Sequence, residues 1–456
     1  MFESFVETPA DGSARAVVAA LAAGRVSALE LCDAAIRRIE SVDEALNAVV
    51  VRDFERARAT ARERDAALAR GARAPLLGLP VTVKESFDVA GLPTCWGMAP
   101  FRGHVARRNA VLVDRLLAAG AVILGKTNVA EGLADWQSEN PVYGRTRHPL
   151  DPARTPGGSS GGSAAALAAG LVALELGSDI GGSVRVPAHF CGVFGHKPSF
   201  GLLPMRGHSF PGHDGAPVDL AVAGPLARTA EDLSLALGVL AGPDEDEAAG
   251  YRLALPPPPA TLDGCRMLLL RDHPCCGTDA VLRDALSGLG ERLADAGVRI
   301  EHESSLLPDL QATQATYFGM LEAVTSRSDP QAGPAISAHA WMALLDEQAR
   351  LRRGWRALFR KGPFDAVLMP PFGTSAFVHF DEPDFERRTL AIDGVPRPYV
   401  EQLAWPGIAT LAGLPSTVAP VARDRAGLPI GVQVMGPLLG DLTTISLAGR
   451  IAALAS

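Results

Sequence analysis

Apolar and polar positions alternate with helical spacing through the first 70 residues. Ser27-Ala28-Leu29-Glu30 is a capping box, in which the serine and the acid three positions on satisfy the free N–H groups of a helix start. It predicts a helix over 27–40, and an Ala-, Arg- and Glu-rich stretch predicts another over 52–70. The opening is therefore expected to be a helical layer. The period then changes. Leu79-Pro80-Val81-Thr82-Val83-Lys84 reads as a short strand, 110–119 as a helix and 121–126 as a second strand. A helix over 163–169 and a strand over 171–176 repeat the alternation, which points to the α/β class, a sheet covered by helices on both faces.

A further helix is expected over 229–240. After it, the acidic run 242–247 and the prolines at 256–259 form a solvated linker with polyproline character, the best internal boundary in the chain. The alternation resumes with strands at 266–270, 299–303 and 366–369 and a helix over 279–296. The region 306–360 reads as mostly helical, a roof for a pocket. Strands near 416–421 and 431–435 and a helix from 441 close the chain. There is no internal repeat.

Composition narrows the partners. With 456 residues, 47% hydrophobic and 21% charged, the chain can bury a large core. A net charge of −8 argues against nucleic acid or an anionic membrane as partner, since both require concentrated Lys and Arg. No stretch is long and apolar enough for a bilayer, and the N-terminus lacks a signal peptide's basic start and apolar core, so a cytoplasmic protein is expected. The 6 cysteines show no metal spacing and read as reduced thiols; the adjacent Cys275 and Cys276 leave a vicinal disulfide as an alternative.

The candidate chemistry lies in Thr155-Pro156-Gly157-Gly158-Ser159-Ser160-Gly161-Gly162-Ser163 and Gly177-Ser178-Asp179-Ile180-Gly181-Gly182-Ser183-Val184-Arg185. Glycines let main-chain N–H groups approach a bound group closely, so serines framed by them suggest hydroxyl chemistry beside an anion-stabilising nest. A phosphate loop would need a GK[ST] ending, which is missing. Gly157-Gly158-Ser159-Ser160-Gly161 satisfies GxSxG, but a nucleophile elbow follows a strand, whereas Arg154-Thr155-Pro156 is a turn. A third reading combines Ser159, Ser183 and a lysine. A serine becomes nucleophilic when a base takes its proton, and a lysine serves only when neutral, a state that burial favours.

These two segments, with Leu79 to Lys84, Gly125-Lys126-Thr127-Asn128, Gly224 to Arg228, Leu411 to Pro415 and Gly431-Val432-Gln433, closely resemble the amidase signature family. The stretch 242–364 is the least family-like. The resemblance implies a large mixed central sheet in one domain. Within it, 1–70 would be the helical layer, 71–240 the signature core, 241–400 a variable, partly helical region and 401–456 the closing strands and helix. It implies Lys84 as base, Ser159 as a bridging serine following a cis peptide bond, and Ser183 as nucleophile. The N–H groups of Ile180, Gly181, Gly182 and Ser183 would form an oxyanion hole. Ser178 is expected to support Ser159, Asp179 to pin the glycine loop and Arg185 to be a structural ion-pair partner. Lys126 is assigned to a structural turn, and histidines 104, 148, 189, 196, 208 and 213 to packing or the pocket.

The expected reaction is hydrolysis of an amide C–N bond through an acyl-enzyme, with no metal and no organic cofactor. Carbamates (urethanes), anilides and esters present the same carbonyl and are candidates too. Trp96 and Trp136 are candidate pocket residues, suggesting a bulky apolar small-molecule substrate. A monomer or homodimer is expected. The alternative is the glutaminase component of a tRNA-dependent amidotransferase complex, disfavoured because the run 195–205 lacks the YGRVSRYG-like sequence associated with that component.

Overall fold

In the computed structural model, residues 12–211, 213, 215–326 and 336–455 are described. The capping box forms: Ser27 Oγ accepts from Glu30 N–H, and Ser27 N–H donates to Glu30 Oε2. The helix Ala28–Leu46 runs past the expected end at 40 and stops at left-handed Asn47. The opening layer is not purely helical, because Val49–Arg52 is a strand, and the second helix, Phe54–Ala69, starts after it. Three successive valines favour a pleated, half-buried surface over a helix start.

Among the described residues eleven strands make one sheet, in the order Val49–Arg52, Val122–Thr127, Pro80–Lys84, Leu174–Asp179, Val222–Ala227, Phe194–Lys197, Ser416–Arg423, Pro429–Met435, Ala366–Met369, Arg266–Leu269 and Arg299–Glu301. Pro80–Lys84 lies parallel to both neighbours, whereas Leu174–Asp179 and Val222–Ala227 are antiparallel, so the sheet is mixed. Helices cover both faces. Every residue of Pro80–Lys84, Val122–Thr127 and Leu174–Asp179 is buried, which suits central strands sealed on two sides.

Leu174–Asp179 begins three residues later than the expected start at 171. The preceding helix, Gly161–Ala168, ends at a left-handed Gly170, and Leu171 to Ala173 carry the chain onto the sheet. This shift places Ser178 and Asp179 at the strand's end and Ser183 on the loop beyond it. The largest apolar cluster draws residues from Ala14 to Ala452, including Met267 and Leu286 from beyond the acidic linker. A hairpin of Thr389–Ile392 and Val395–Pro398, turned by left-handed Asp393 and Gly394, lies outside the expected elements. The region expected to be helical contains Leu310–Thr325 and Ala338–Lys361. Among the described residues no helix is long and apolar enough to cross a membrane.

Candidate active site

The site grows from the end of a central strand. Lys84 closes Pro80–Lys84, and its side chain is fully buried. Its Nζ lies 2.8 Å from Ser159 Oγ and 2.9 Å from Ser178 Oγ. Burial disfavours the ammonium form and pushes the Lys84 pKa down to about 7, against the opposing pull of Asp179 and Glu85. A sizeable neutral fraction therefore exists near neutral pH. Ser178, expected to support Ser159, places its hydroxyl on Lys84 instead, because the strand end brings it within reach of the amine.

Ser159 enters from an irregular segment just before Gly161–Ala168, and the Gly158–Ser159 peptide bond is cis. No strand leads into it, so the GxSxG match does not form an elbow. The loop packs backbone against backbone. A Cβ on Gly158 would lie 2.3 Å from the Asp135 carbonyl oxygen, and one on Gly162 would lie 2.4 Å from Asn128 N. The two serine segments are tied together where Ser160 N–H donates to Ser183 O at 3.1 Å.

Asp179 pins the second loop. Its carboxylate accepts from the N–H groups of Gly182 and Val184, both at 3.1 Å, and pairs with Arg185 at 2.8 Å, with both side chains fully buried. Arg185 in turn donates to Pro406 O, Gln433 Oε1 and Thr410 Oγ1. The Arg185 charge helps hold the Asp179 carboxyl below its usual range despite burial. One expectation is corrected here. Gly182 N–H is engaged by Asp179, so it does not face a bound carbonyl; Ile180, Gly181 and Ser183 remain as candidate donors.

Ser159, Ser178, Ser183, Ile180 and Gly181 line one cavity of about 430 Å³. Trp96 and Trp136 line it too, with Leu133, Phe210, Leu321, Val324, Phe385, Tyr399 and Leu403. Trp136 also donates from Nε1 to Gly181 O at 2.9 Å, and Trp96 to Ser86 O at 3.2 Å. Two acids lie in the wall: Asp179, paired with Arg185, and Asp135, which accepts from Arg388 and Tyr399, each at 2.7 Å. His208 lies 3.0 Å from Ser86 Oγ, and burial together with the nearby Lys84 charge drives its pKa down to about 3, so it is neutral.

Lys126 is brought to a different place. It too is buried, with a pKa lowered by burial to about 8, but Nζ bonds Pro93 O and Thr94 Oγ1. His148, His189 and His196 bond Phe190 O, Thr374 O and Asp441, whereas His208 and His213 line the cavity. All six cysteines are free. Among the described residues no group of three or more His, Cys, Asp or Glu side chains forms a metal-binding cluster. Sequence reasoning does not single out Tyr317, Leu321 and Val324, although their spacing places them along one helix face.

A model of the Amidase family matches residues 30–339 and 326–445. The chain is 36% identical over 451 residues to the AtzE subunit of 1-carboxybiuret hydrolase from Pseudomonas sp. (strain ADP), covering 92% of this chain and 93% of the relative. It is 34% identical to a glutamyl-tRNA(Gln) amidotransferase subunit of Roseiflexus castenholzii (strain DSM 13941 / HLO8), covering 91% and 90%. A crystal structure of a bacterial aryl acylamidase of the amidase signature family superposes with a TM-score of 0.82 at 22% identity, over 97% of this chain and 96% of that one, a likeness of fold. The class defined is a C–N hydrolase. The chain belongs to the amidase signature family and acts on amide bonds.

Proposed function

We propose that the chain is a serine amidase for uncharged, bulky apolar substrates, with Ser183 as nucleophile, Ser159 as relay and Lys84 as base. The observation that carries this reading is the buried contact of 2.8 Å between Lys84 Nζ and Ser159 Oγ, beside a cavity shared with Ser183. In the proposed cycle Ser183 Oγ bonds to the carbonyl carbon and the C=O electron pair moves onto oxygen. The Ser183 proton passes to Ser159, whose own proton passes to neutral Lys84. Ile180, Gly181 and Ser183 N–H groups hold the oxyanion. Collapse breaks the C–N bond as the proton returns through Ser159 to the departing nitrogen. Water then repeats the sequence on the acyl-enzyme, releasing acid and Ser183.

The cavity supports the substrate class. No Lys or Arg is among its described lining residues, and its Asp135 and Asp179 carboxylates are already paired with Arg388 and Arg185, so a charged group of either sign would be desolvated without a free countercharge. Anilides, carbamates and esters with aromatic or branched alkyl groups fit the tryptophan-lined walls. The amidotransferase relative supports the glutaminase alternative. That reading requires a site for an amino acid's charged carboxylate, which the described lining lacks.

A phenylmethylsulfonyl reagent with peptide mass mapping tests the nucleophile. Label on Ser183, lost in Lys84→Ala, is expected; label on Ser159 refutes the assignment. A panel comparing anilides, aryl carbamates and esters with glutamine and small polar amides tests the substrate class. Turnover confined to glutamine would replace it with the glutaminase reading.

A further inference from the structure

The loop Ile180–Gly182 is gripped by the adjoining Asp179 side chain and by two side chains from distant places, Trp136 and Tyr317. Asp179 takes Gly182 N–H, Trp136 donates to Gly181 O, and Tyr317 Oη donates to Ile180 O at 2.8 Å. In a trans peptide the C=O and the following N–H point in opposite directions. The Tyr317 bond therefore sets the direction of Gly181 N–H, just as the Trp136 bond agrees with Gly182 N–H turning to Asp179. Glycine at 181 and at 182, where φ is +92°, leaves little steric resistance to rotation of these peptides. Their orientation must come from hydrogen bonds.

Tyr317 is held for this contact. It is fully buried in Leu310–Thr325, with its ring against Gly407, where a Cβ would lie 2.6 Å from Cδ1. Its hydroxyl would lie 3.5 Å from a Cβ on Gly181. Leu321 and Val324, one and two turns along the same helix, line the cavity.

We infer that Tyr317 is a positioning residue that fixes the Ile180–Gly181 peptide with its N–H toward the reacting carbonyl. The inference rests on the proposed role of Ser183 and goes beyond it, since it places one control of transition-state stabilisation on a helix outside the two serine-glycine segments. Tyr317→Phe keeps the ring and removes the donor. Its kcat on an anilide should fall roughly 10- to 100-fold, up to the loss typical of one missing oxyanion donor, with KM changed less than about threefold. Affinity for a boronic acid, whose adduct on the serine mimics the tetrahedral state, should fall in parallel, while a competitive amide that is not turned over binds as before. Gly407→Ala, which displaces the ring and keeps the hydroxyl, should give the same signature. A kcat within twofold of wild type in Tyr317→Phe overturns the inference. So does a loss seen only in thermal midpoint, or one shared equally by ground-state binding. Sulfonyl labelling of wild-type Ser183 separates the two readings: unlabelled Ser183 refutes the nucleophile, whereas labelled Ser183 with an unaffected Tyr317→Phe refutes only this role.

Discussion

Lys84, the last residue of its strand, and Lys126, the last but one of the neighbouring parallel strand, are both fully buried and both have lowered pKa values, yet they face different chemistry. Val83 pairs with Lys126, and Lys84 pairs with Thr127. Because side chains alternate along a strand, this one-residue offset sends the two amines to opposite faces of the sheet. Lys84 meets Ser159 and Ser178; Lys126 meets Pro93 O and Thr94. Lys197 extends the lesson, being buried with its pKa lowered to about 7 while its Nζ bonds Pro198 O at 2.9 Å. Desolvation lowers an amine's pKa toward working pH; register decides which hydroxyls it meets.

The widest separation between the two lysines is expected from their methionine variants. Lys84→Met should lower turnover roughly 1,000- to 10,000-fold, the scale of a lost general base, with little loss of stability because its partners Ser159 and Ser178 line the cavity and can turn to water there. Lys126→Met should do the reverse, costing about 1–3 kcal/mol in urea unfolding by orphaning Pro93 O and Thr94 Oγ1, with turnover per folded molecule within about threefold. Equal effects on turnover would erase the distinction.

The pH profile sharpens it. Lys84 must be neutral to accept a proton, so kcat/KM should rise with pH and level off above a midpoint at about 7. The same midpoint should survive in Lys126→Met. A profile that falls across neutrality, measured with a substrate that does not itself titrate, would contradict the base assignment.

The smallest effect concerns Glu175, which pairs with Thr82 one step down the Lys84 face. Burial pushes its pKa up to about 8, so the folded protein holds the proton between the unfolded value and about 8. Stability from this group is therefore fully present below the unfolded value and is lost progressively as pH rises from there through about 8. Glu175→Gln should match wild type near pH 4, below the unfolded carboxyl's value, and melt higher than wild type at pH 9. Lower melting of the variant at pH 9 would show that an ionised Glu175 is stabilised by its neighbours.

Legibility follows the range of the physics. The capping box at Ser27, the buried strand ending at Lys84 and the glycine-framed serines are local patterns, and each appears where the sequence places it. The extra strand at Val49 is hidden because helical periodicity on both sides masks three β-branched residues. The hairpin around Asp393-Gly394 carries a usable turn signal that a partly helical reading of 241–400 passes over. That Asp179 pins the glycine loop is legible, but which N–H it takes is not, so Gly182 is counted among the oxyanion donors until the loop is seen closed on itself. Trp96 and Trp136 are visible through closeness in sequence to the motifs, but Phe385 and Tyr399 reach the cavity only through tertiary packing. Tyr317 has no motif around it, since a single hydroxyl on a helix has no spacing to betray it.

The contacts at Gly158 and Gly162 bear on why the segment stands out at all. Where another chain segment's carbonyl or amide lies closer than a Cβ permits, glycine is the one residue the space admits. The conspicuous part of the motif is thus largely a record of steric exclusion, written by the neighbours Asp135 and Asn128 and not by the reaction. Those two glycines would persist in a relative that had lost Ser183 yet kept the loop packed in this way, so an intact glycine pattern reports the architecture, and the hydroxyls and amine must be read separately to learn whether the chemistry is still there.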